Sequence, residues 1–443
     1  MFSKSGLVRT SFVAVLVRGG GAVLALAANV ILARVLGPQI FGRYLYVFSW
    51  SLVLGGLATM GTGPLLVREI AGDESSGQAA KTVEVTRWAL GLTGMVAISF
   101  CAGLAAFFWF GYHDLRREPA LIILAAILIP LLTGILLAQA VLRGKGRVIW
   151  GQSLMTLFRN ALLLTGALTA LGLGLLHGAT VVLILQCLAI GLALLIGWFL
   201  IQRIIPGLLS AVVIRARTSV SHLETEASKR ARKGWLKTSL FFLFATAGTS
   251  FMNQLDIVVV GWFGSERIVG FYGVAAKVGN MISLIGVAGL LVLQPRIVQI
   301  AKMQDLGQVK RLLRRAVALF GIPALFCVGL VAVFGHEILL ALVPQYMQAL
   351  PALILIAMSN TAYCLTVPFL AFLSMTGREK QIAWIIWSQL VLNVFLNVFL
   401  VPIYGATGGG VARATALIAG SAAIYLVASK HIFQGKLYPE TLQ

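Results

Sequence analysis

Four basic residues, Arg18, Arg159, Lys277 and Arg413, stand in stretches otherwise fit for hydrocarbon, and one acid, Asp256, stands in such a stretch with them. A Lys or Arg at the bilayer midplane costs about 2.5–3.5 kcal/mol on the insertion scale unless it meets water or a partner. Four cations against one carboxylate leave surplus positive charge. That surplus suits a hydrated cationic cavity or an anionic passenger that visits it. Arg supplies a bidentate fork for phosphate or carboxylate oxygens, and Lys a mobile point charge.

Helical phase gathers polar groups around these charges. Arg18, Ala22, Ala25 and Asn29 share one stripe, because steps of three or four residues keep one helix face. Gln389, Asn393 and Asn397 recur four apart. Thr249, Ser250, Asn253 and Asp256 form a third polar group, and Lys277, Asn280 and Ser283 a fourth. At 1.5 Å per residue, Asp256 lies about 9 Å and Lys277 about 14 Å below the outer surface. The two occupy adjacent spans, which predicts an Asp256–Lys277 ion pair.

The elements that must carry these residues follow from composition. Of 443 residues, 59% are hydrophobic and only 11% charged, where soluble domains carry about 25% charged. The mean hydropathy is +0.95. A soluble globular domain is excluded. Apolar windows fall near 11–33, 44–67, 88–110, 119–142, 153–176, 179–202, 238–262, 268–293, 312–334, 349–374, 381–401 and 405–429, each near the ~20 residues that cross a bilayer. No strand-like alternation runs through them, which excludes a β-barrel. The expectation is an all-α polytopic membrane protein of about twelve transmembrane helices.

The net charge of +21 is mostly topology. Placing both termini in the cytoplasm leaves the outer loops only Arg34, Arg43, Arg116, Arg117 and Arg267, and nearly all other basic residues fall on the inner side. In a soluble protein a pI near 10.5 would suggest nucleic acid; here no nucleic-acid partner is expected. Lys4 and Arg9 before an apolar run superficially resemble a signal peptide, but Arg18 and Gly19-Gly20-Gly21 interrupt the run, so a retained first span is expected. Cys101, Cys187, Cys327 and Cys364 sit singly in apolar surroundings and read as small buried hydrophobes. No metal or cofactor is expected.

The chain repeats itself. Gly37-Pro38-Gln39-Ile40-Phe41-Gly42-Arg43-Tyr44 follows the first span, and Gly264 through Gly270-Phe271-Tyr272 follows the seventh. Glycine allows a tight turn, and the tyrosine suits a membrane interface. A second echo pairs Gly144-Lys145-Gly146-Arg147 with Gly377-Arg378-Glu379-Lys380, and Asn160 with Asn393. Two echoes at nearly one offset predict two six-helix bundles, residues 1–202 and 238–443, related by a pseudo-twofold axis along the membrane normal. The polar stripes would line the space between them near the midplane. Residues 203–237 form a basic cytoplasmic linker suited to rest on anionic membrane lipids.

Asn253-Gln254-Leu255-Asp256, Gly264, Val269 through Lys277, Gln294-Pro295-Arg296, and Arg34-Val35-Leu36-Gly37-Pro38 with Phe41, Gly42 and Tyr44 together resemble the polysaccharide-repeat (O-antigen or exopolysaccharide) flippases of Wzx type. These belong to the multidrug, oligosaccharidyl-lipid and polysaccharide exporter superfamily. The resemblance covers nearly the whole chain. It implies translocation of an undecaprenyl-diphosphate-linked oligosaccharide across the bacterial inner membrane by alternating access, with other polysaccharide assembly proteins as partners and no enzymatic step. On this reading Arg18, Asn29, Arg159, Lys277, Asn393, Asn397 and Arg413 meet the substrate, and Asp256 with Lys277 forms the ion pair or coupling site. Twelve spans argue against the fourteen-span lipid II branch.

Two rivals remain. A polymerase or ligase would need a large outer loop, whereas the longest outer segment is short and offers only His113, Asp114 and Glu118 as an acid–base group. A drug or ion antiporter of the same superfamily would favour cationic cargo, which a net-positive lumen suits poorly.

Overall fold

The computed structural model describes residues 4–76, 79–111, 118–205, 226–252, 254–302 and 305–433. Within them the chain is helical and no strand occurs. The helices are α1 (Lys4–Ala58), α2 (Thr62–Ser76), α3 (Ala79–Gly111), α4 (Pro119–Gly144), α5 (Val148–Gly172), α6 (Ala179–Ile204), α7 (Glu226–Met252), α8 (Leu255–Phe263), α9 (Glu266–Gly279), α10 (Ser283–Lys302), α11 (Leu306–Leu342), α12 (Leu350–Met375) and α13 (Glu379–Phe433).

Two helices are too long for single spans. α1 and α13 each run 55 residues, about 82 Å at helical rise, nearly twice the 40–45 Å of a whole bilayer. Each is broken once, at Gly37 (φ 72, ψ 171) and Gly405 (φ 56, ψ −132). Both lie in the left-handed half of backbone space that a Cβ disfavours. Pro38 follows the first break at the position where its fixed φ starts a helix. With these breaks counted, the twelve expected windows lie mainly on helix, those at 44–67, 238–262 and 268–293 each crossing from one helix to the next. Nine helices among the described residues are apolar and long enough to cross a membrane; Val15–Ala58 and Glu379–Phe433 hold two windows each. The window at 238–262 falls on α7 and α8.

The chain forms two compact units that interleave along the sequence. One comprises Met1–Val15, Asn29–Tyr46 and Leu255–Gln443, the other Leu16–Ala28 and Val47–Gln254.

In the first unit α13 folds back on itself at Gly405. Gly408 lies so close to Leu400 that a Cβ there would overlap the Leu400 carbonyl, and Gly420 gives the same room to Gln389. These are the distances of an antiparallel hairpin. α12 packs beside it with Ile356, Ala357, Val367 and Phe372 buried. Near the carboxy-terminal end, Leu293, Ile297, Leu313, Phe320, Phe372 and Ile424 form a continuous apolar core.

In the second unit the 47–58 segment of α1 lies on α4. Ser51 Oγ donates to the Ala125 carbonyl at 3.0 Å and Thr133 Oγ1 to that of Gly55 at 3.1 Å. Such side-chain donors tie membrane helices together where backbone acceptors are already used. Ala28, Leu163 and Ala189 form a small core of their own.

The repeated motif acquires a use the sequence did not suggest. Gly42 and Gly270 are helical rather than turn residues and face each other across a helix crossing. A Cβ on Gly42 would overlap the Glu266 carbonyl, and one on Gly270 the Pro38 carbonyl. Of the four motif glycines only Gly37 has positive φ. At the matching place in the second copy, Ser265 caps α9 by accepting from the Ile268 N–H at 3.4 Å. The two tyrosines are also not interfacial: Tyr44 is 1% and Tyr272 0% exposed. Close backbone approach at the glycines pulls both rings inward. Arg43 Nε meets Glu266 Oε1 at 2.7 Å across the crossing. The Tyr346 ring stands edge-on to Phe41 and Phe271 (centroids 6.3 and 5.9 Å), and its hydroxyl donates to the Ala33 carbonyl at 3.1 Å. The second echo is a turn in both copies, with positive φ at Gly146 and Gly377, two residues out of the register that pairs Gly144 with Gly377 and Asn160 with Asn393.

Candidate functional site

In the first unit the embedded charges meet. Asp256 opens α8 and is buried. Its Oδ2 lies 2.5 Å from Nη1 of Arg413, which is buried on the second arm of α13. Arg413 Nη2 donates to Asn280 Oδ1 at 2.9 Å. The same oxygen accepts from Asn360 Nδ2 at 3.1 Å, and that amide also donates to the Gly279 carbonyl at 3.0 Å. One ion pair is thus extended through two asparagines into α9 and α12.

Asp256 thus has Arg413 as an ion-pair partner, one the sequence did not name for it. Residue counting along two adjacent helices located the right acid but could not see α13 arriving from far along the chain. The Gly408-Gly409-Gly410 run makes that arrival possible. A Cβ on Gly409 would sit 2.9 Å from Val260 and 3.1 Å from the Tyr272 ring, and one on Gly410 3.0 Å from Ala352. The run is helical and buried, a close-packing surface in place of a flexible one. Lys277 is half-buried in the last turn of α9.

Polar capacity around the pair is not used up. Among the described residues, Asp256 Oδ1 and Arg413 Nε are buried without a hydrogen-bond partner. The Tyr272 hydroxyl lies within electrostatic reach of both charges. Further along α13, Asn397 Nδ2 donates to the Asn393 carbonyl (2.8 Å) and to its Oδ1 (3.1 Å), while Asn393 Nδ2 and Asn397 Oδ1 remain unpartnered. Each orphaned buried polar atom costs about 1–3 kcal/mol. Among the described residues such atoms occur on several helices, and those on α8, α9 and α13 lie beside or along from the ion pair.

The second unit holds the other cations. Arg159 follows a π-helical stretch, Leu154–Phe158, a widened turn often found at functional positions. Its Nε and Nη2 donate to Asn160 Oδ1 at 3.1 and 2.7 Å, and its guanidinium lies 5.8 Å over the Phe48 ring. Asn160 Nδ2 donates to the carbonyls of Gly21 (2.9 Å) and Thr156 (2.8 Å). Gly21 approaches α5 so closely that a Cβ would overlap the Thr156 carbonyl. Arg159 is thus held where α1 crosses α5. Arg18, half-buried, exerts its charge on Arg143. Asn29 is buried and belongs to the first unit.

Thr249, Ser250, Asn253, His113 and Asp114 lie outside the residues whose side chains are described, as does most of the 203–237 linker. Sequence reasoning missed Asn360 as a site residue. Its signal is the Ser359-Asn360-Thr361 triplet inside an otherwise apolar window. Tyr272 was legible only as part of a repeat.

Among the described residues no group of three or more His, Cys, Asp or Glu could hold a metal ion.

Comparison with known proteins places this arrangement. A family model for polysaccharide biosynthesis proteins matches residues 7–301. The probable flippase AglR of Haloferax volcanii is 27% identical over 198 residues, 43% of this chain and 39% of that protein. A probable low-salt glycan biosynthesis flippase of the same organism is 24% identical over 220 residues, 48% of this chain and 46% of that one. The matched stretches thus span less than half of either relative. Among solved structures, the lipid II flippase MurJ in an inward closed conformation superposes with a TM-score of 0.69, 13% identity and coverage of 95% of this chain and 89% of that one. An inward-facing multidrug resistance MATE transporter of the MOP superfamily gives 0.67, 13%, 94% and 95%. At such identity these two establish the fold alone. With two thirds of its length matched by the family model and this fold beneath it, the chain belongs to the polysaccharide biosynthesis protein family.

Proposed function

We propose that the chain is a flippase. It carries an undecaprenyl-diphosphate-linked oligosaccharide from the cytoplasmic to the outer leaflet of the cytoplasmic membrane, by alternating access and without covalent chemistry. The supporting observation is that the family match and two flippase-named relatives fall on a chain whose apolar stretches carry Arg18, Arg159, Lys277 and Arg413 together with Asp256. Asp256 is already committed to Arg413, so the remaining positive charge suits an anionic cargo. In this reading both termini are cytoplasmic and the repeats at 1–202 and 238–443 are the moving halves. Arg18, Arg159 and Lys277 attract the diphosphate, and Asn29, Asn393 and Asn397 offer hydrogen bonds to sugar hydroxyls. On this reading the Asp256–Arg413 pair is the coupling element.

Deleting the protein from its host tests this. The expected result is loss of surface glycan with lipid-linked oligosaccharide accumulating in the cytoplasmic leaflet. Normal glycan together with new sensitivity to cationic drugs would establish the antiporter reading instead.

A further inference from the structure

α10 and α11 enclose a cavity of about 480 Å³ away from the Asp256–Arg413 pair, a volume within the ~300–1,000 Å³ range of small-ligand sites. Its walls are two facing stripes. Val292, Arg296 and Ile300 recur four apart on α10, and Gln308, Arg311, Arg315 and Leu319 recur at three and four on α11. Such spacings keep one helix face. Arg296 lies six residues before the end of α10 at Lys302, and Arg311 and Arg315 lie five and nine residues beyond the start of α11 at Leu306. At 1.5 Å per residue these are about 9, 8 and 14 Å, so the three arginines lie within about one helical turn of one another near the basic end. The charge rule expects that end on the cytoplasmic side.

Beyond the arginines the cavity turns apolar and opens outward. Leu319 is 65% and Val292 40% exposed, and the exposed face of α11 continues through Ile322 and Phe326. A soluble anion would use the arginines and waste the apolar wall; an amphiphile uses both. Among the described lining residues there is no carboxylate. The acid nearest in sequence, Asp305, caps α11 by accepting from the Gln308 N–H at 2.9 Å, and its charge reaches Arg311. That leaves about two uncompensated positive charges. A single phosphodiester headgroup would neutralise half of them, and the two phosphates of a diphosphate diester would match them.

We propose that this groove is a docking site for a polyprenyl diphosphate lipid of the inner leaflet, its diphosphate on Arg296, Arg311 and Arg315 and its hydrocarbon chain along Val292 and Leu319. The identity of this lipid as the cargo rests on the flippase reading above. The groove is a loading position, where cargo gathers before it is carried across.

Native mass spectrometry of the full chain in detergent, with undecaprenyl diphosphate, phosphatidylglycerol and inorganic diphosphate as probes, tests the site. The wild type should bind undecaprenyl diphosphate at least tenfold more tightly than either other probe. Joint Arg296→Gln, Arg311→Gln and Arg315→Gln substitution should abolish that preference, and joint substitution by Lys should retain part of it. The three side chains are exposed, so an unchanged thermal unfolding midpoint is the control for folding. Equal binding by the triple Gln variant, equal binding of phosphatidylglycerol, or equal binding of inorganic diphosphate would each overturn the proposal. Selective binding in a chain that flips nothing would sink the flippase reading and spare the site. Flipping by a wild type without that binding preference would do the reverse.

Discussion

A buried ion pair is weak evidence for stability but strong evidence against casual substitution. Taking Asp256 and Arg413 out of water costs more than an exposed pair returns, and removing one partner leaves an uncompensated buried charge worth about 3–5 kcal/mol. Asp256→Ala and Arg413→Ala should each lower the thermal unfolding midpoint markedly, while the matched pair Asp256→Leu with Arg413→Met should recover most of the loss. On the transport reading the double variant folds yet fails to restore surface glycan. Full glycan in that variant would make the pair structural. At this scale the sequence was partly legible. The ionisable residues out of place in hydrocarbon could be listed from hydropathy alone, and Asp256, Arg413 and Asn280 proved to touch. The pairing itself was not legible, because 157 residues separate its members.

The helices are held in place by small residues more than by large ones. Lipid offers little hydrophobic drive between helices, so close backbone approach and a few polar contacts decide the packing. The crossing at Gly42 and Gly270 shows this directly. Ala at either position meets a backbone carbonyl that cannot yield as a side-chain tip would, and overpacking of this kind costs about 1–3 kcal/mol. Gly42→Ala and Gly270→Ala should therefore lower both the unfolding midpoint and glycan export. Gly91→Ala, on an open face where nothing lies within 4 Å, should do neither. Equal tolerance at all three positions would contradict the crossing. The repeat told us that these glycines corresponded, but correspondence within a chain does not say that the two copies touch. Tyr44 and Tyr272 were assigned to the interface for the same reason: a one-dimensional pattern shows depth and phase, not what stands opposite. Helix number was more secure, since the 20-residue hydrophobic period is imposed by the bilayer itself. The breaks at Gly37 and Gly405 agreed with it, although one helix continues in name through each.

For the whole molecule the ruling quantity is charge. Most basic residues fall in the segments that topology assigns to the cytoplasmic side. The remainder divides into a neutralised pair, Asp256 with Arg413, and cations placed on membrane helices or around the groove of α10 and α11. On the proposed reading such a distribution suits an anionic amphiphile better than a cationic drug. Fold alone could not decide this, because the lipid II flippase and the multidrug transporter superpose equally well. The most direct measurement uses purified chain reconstituted into liposomes with an undecaprenyl-diphosphate-linked oligosaccharide, whose outer-leaflet fraction is read by an externally added glycosidase. The account expects protein-dependent exposure of the lipid-linked glycan, reduced at least tenfold by Arg18→Gln with Arg159→Gln. Transfer no faster than in protein-free liposomes, with an intact and folded chain, would contradict it.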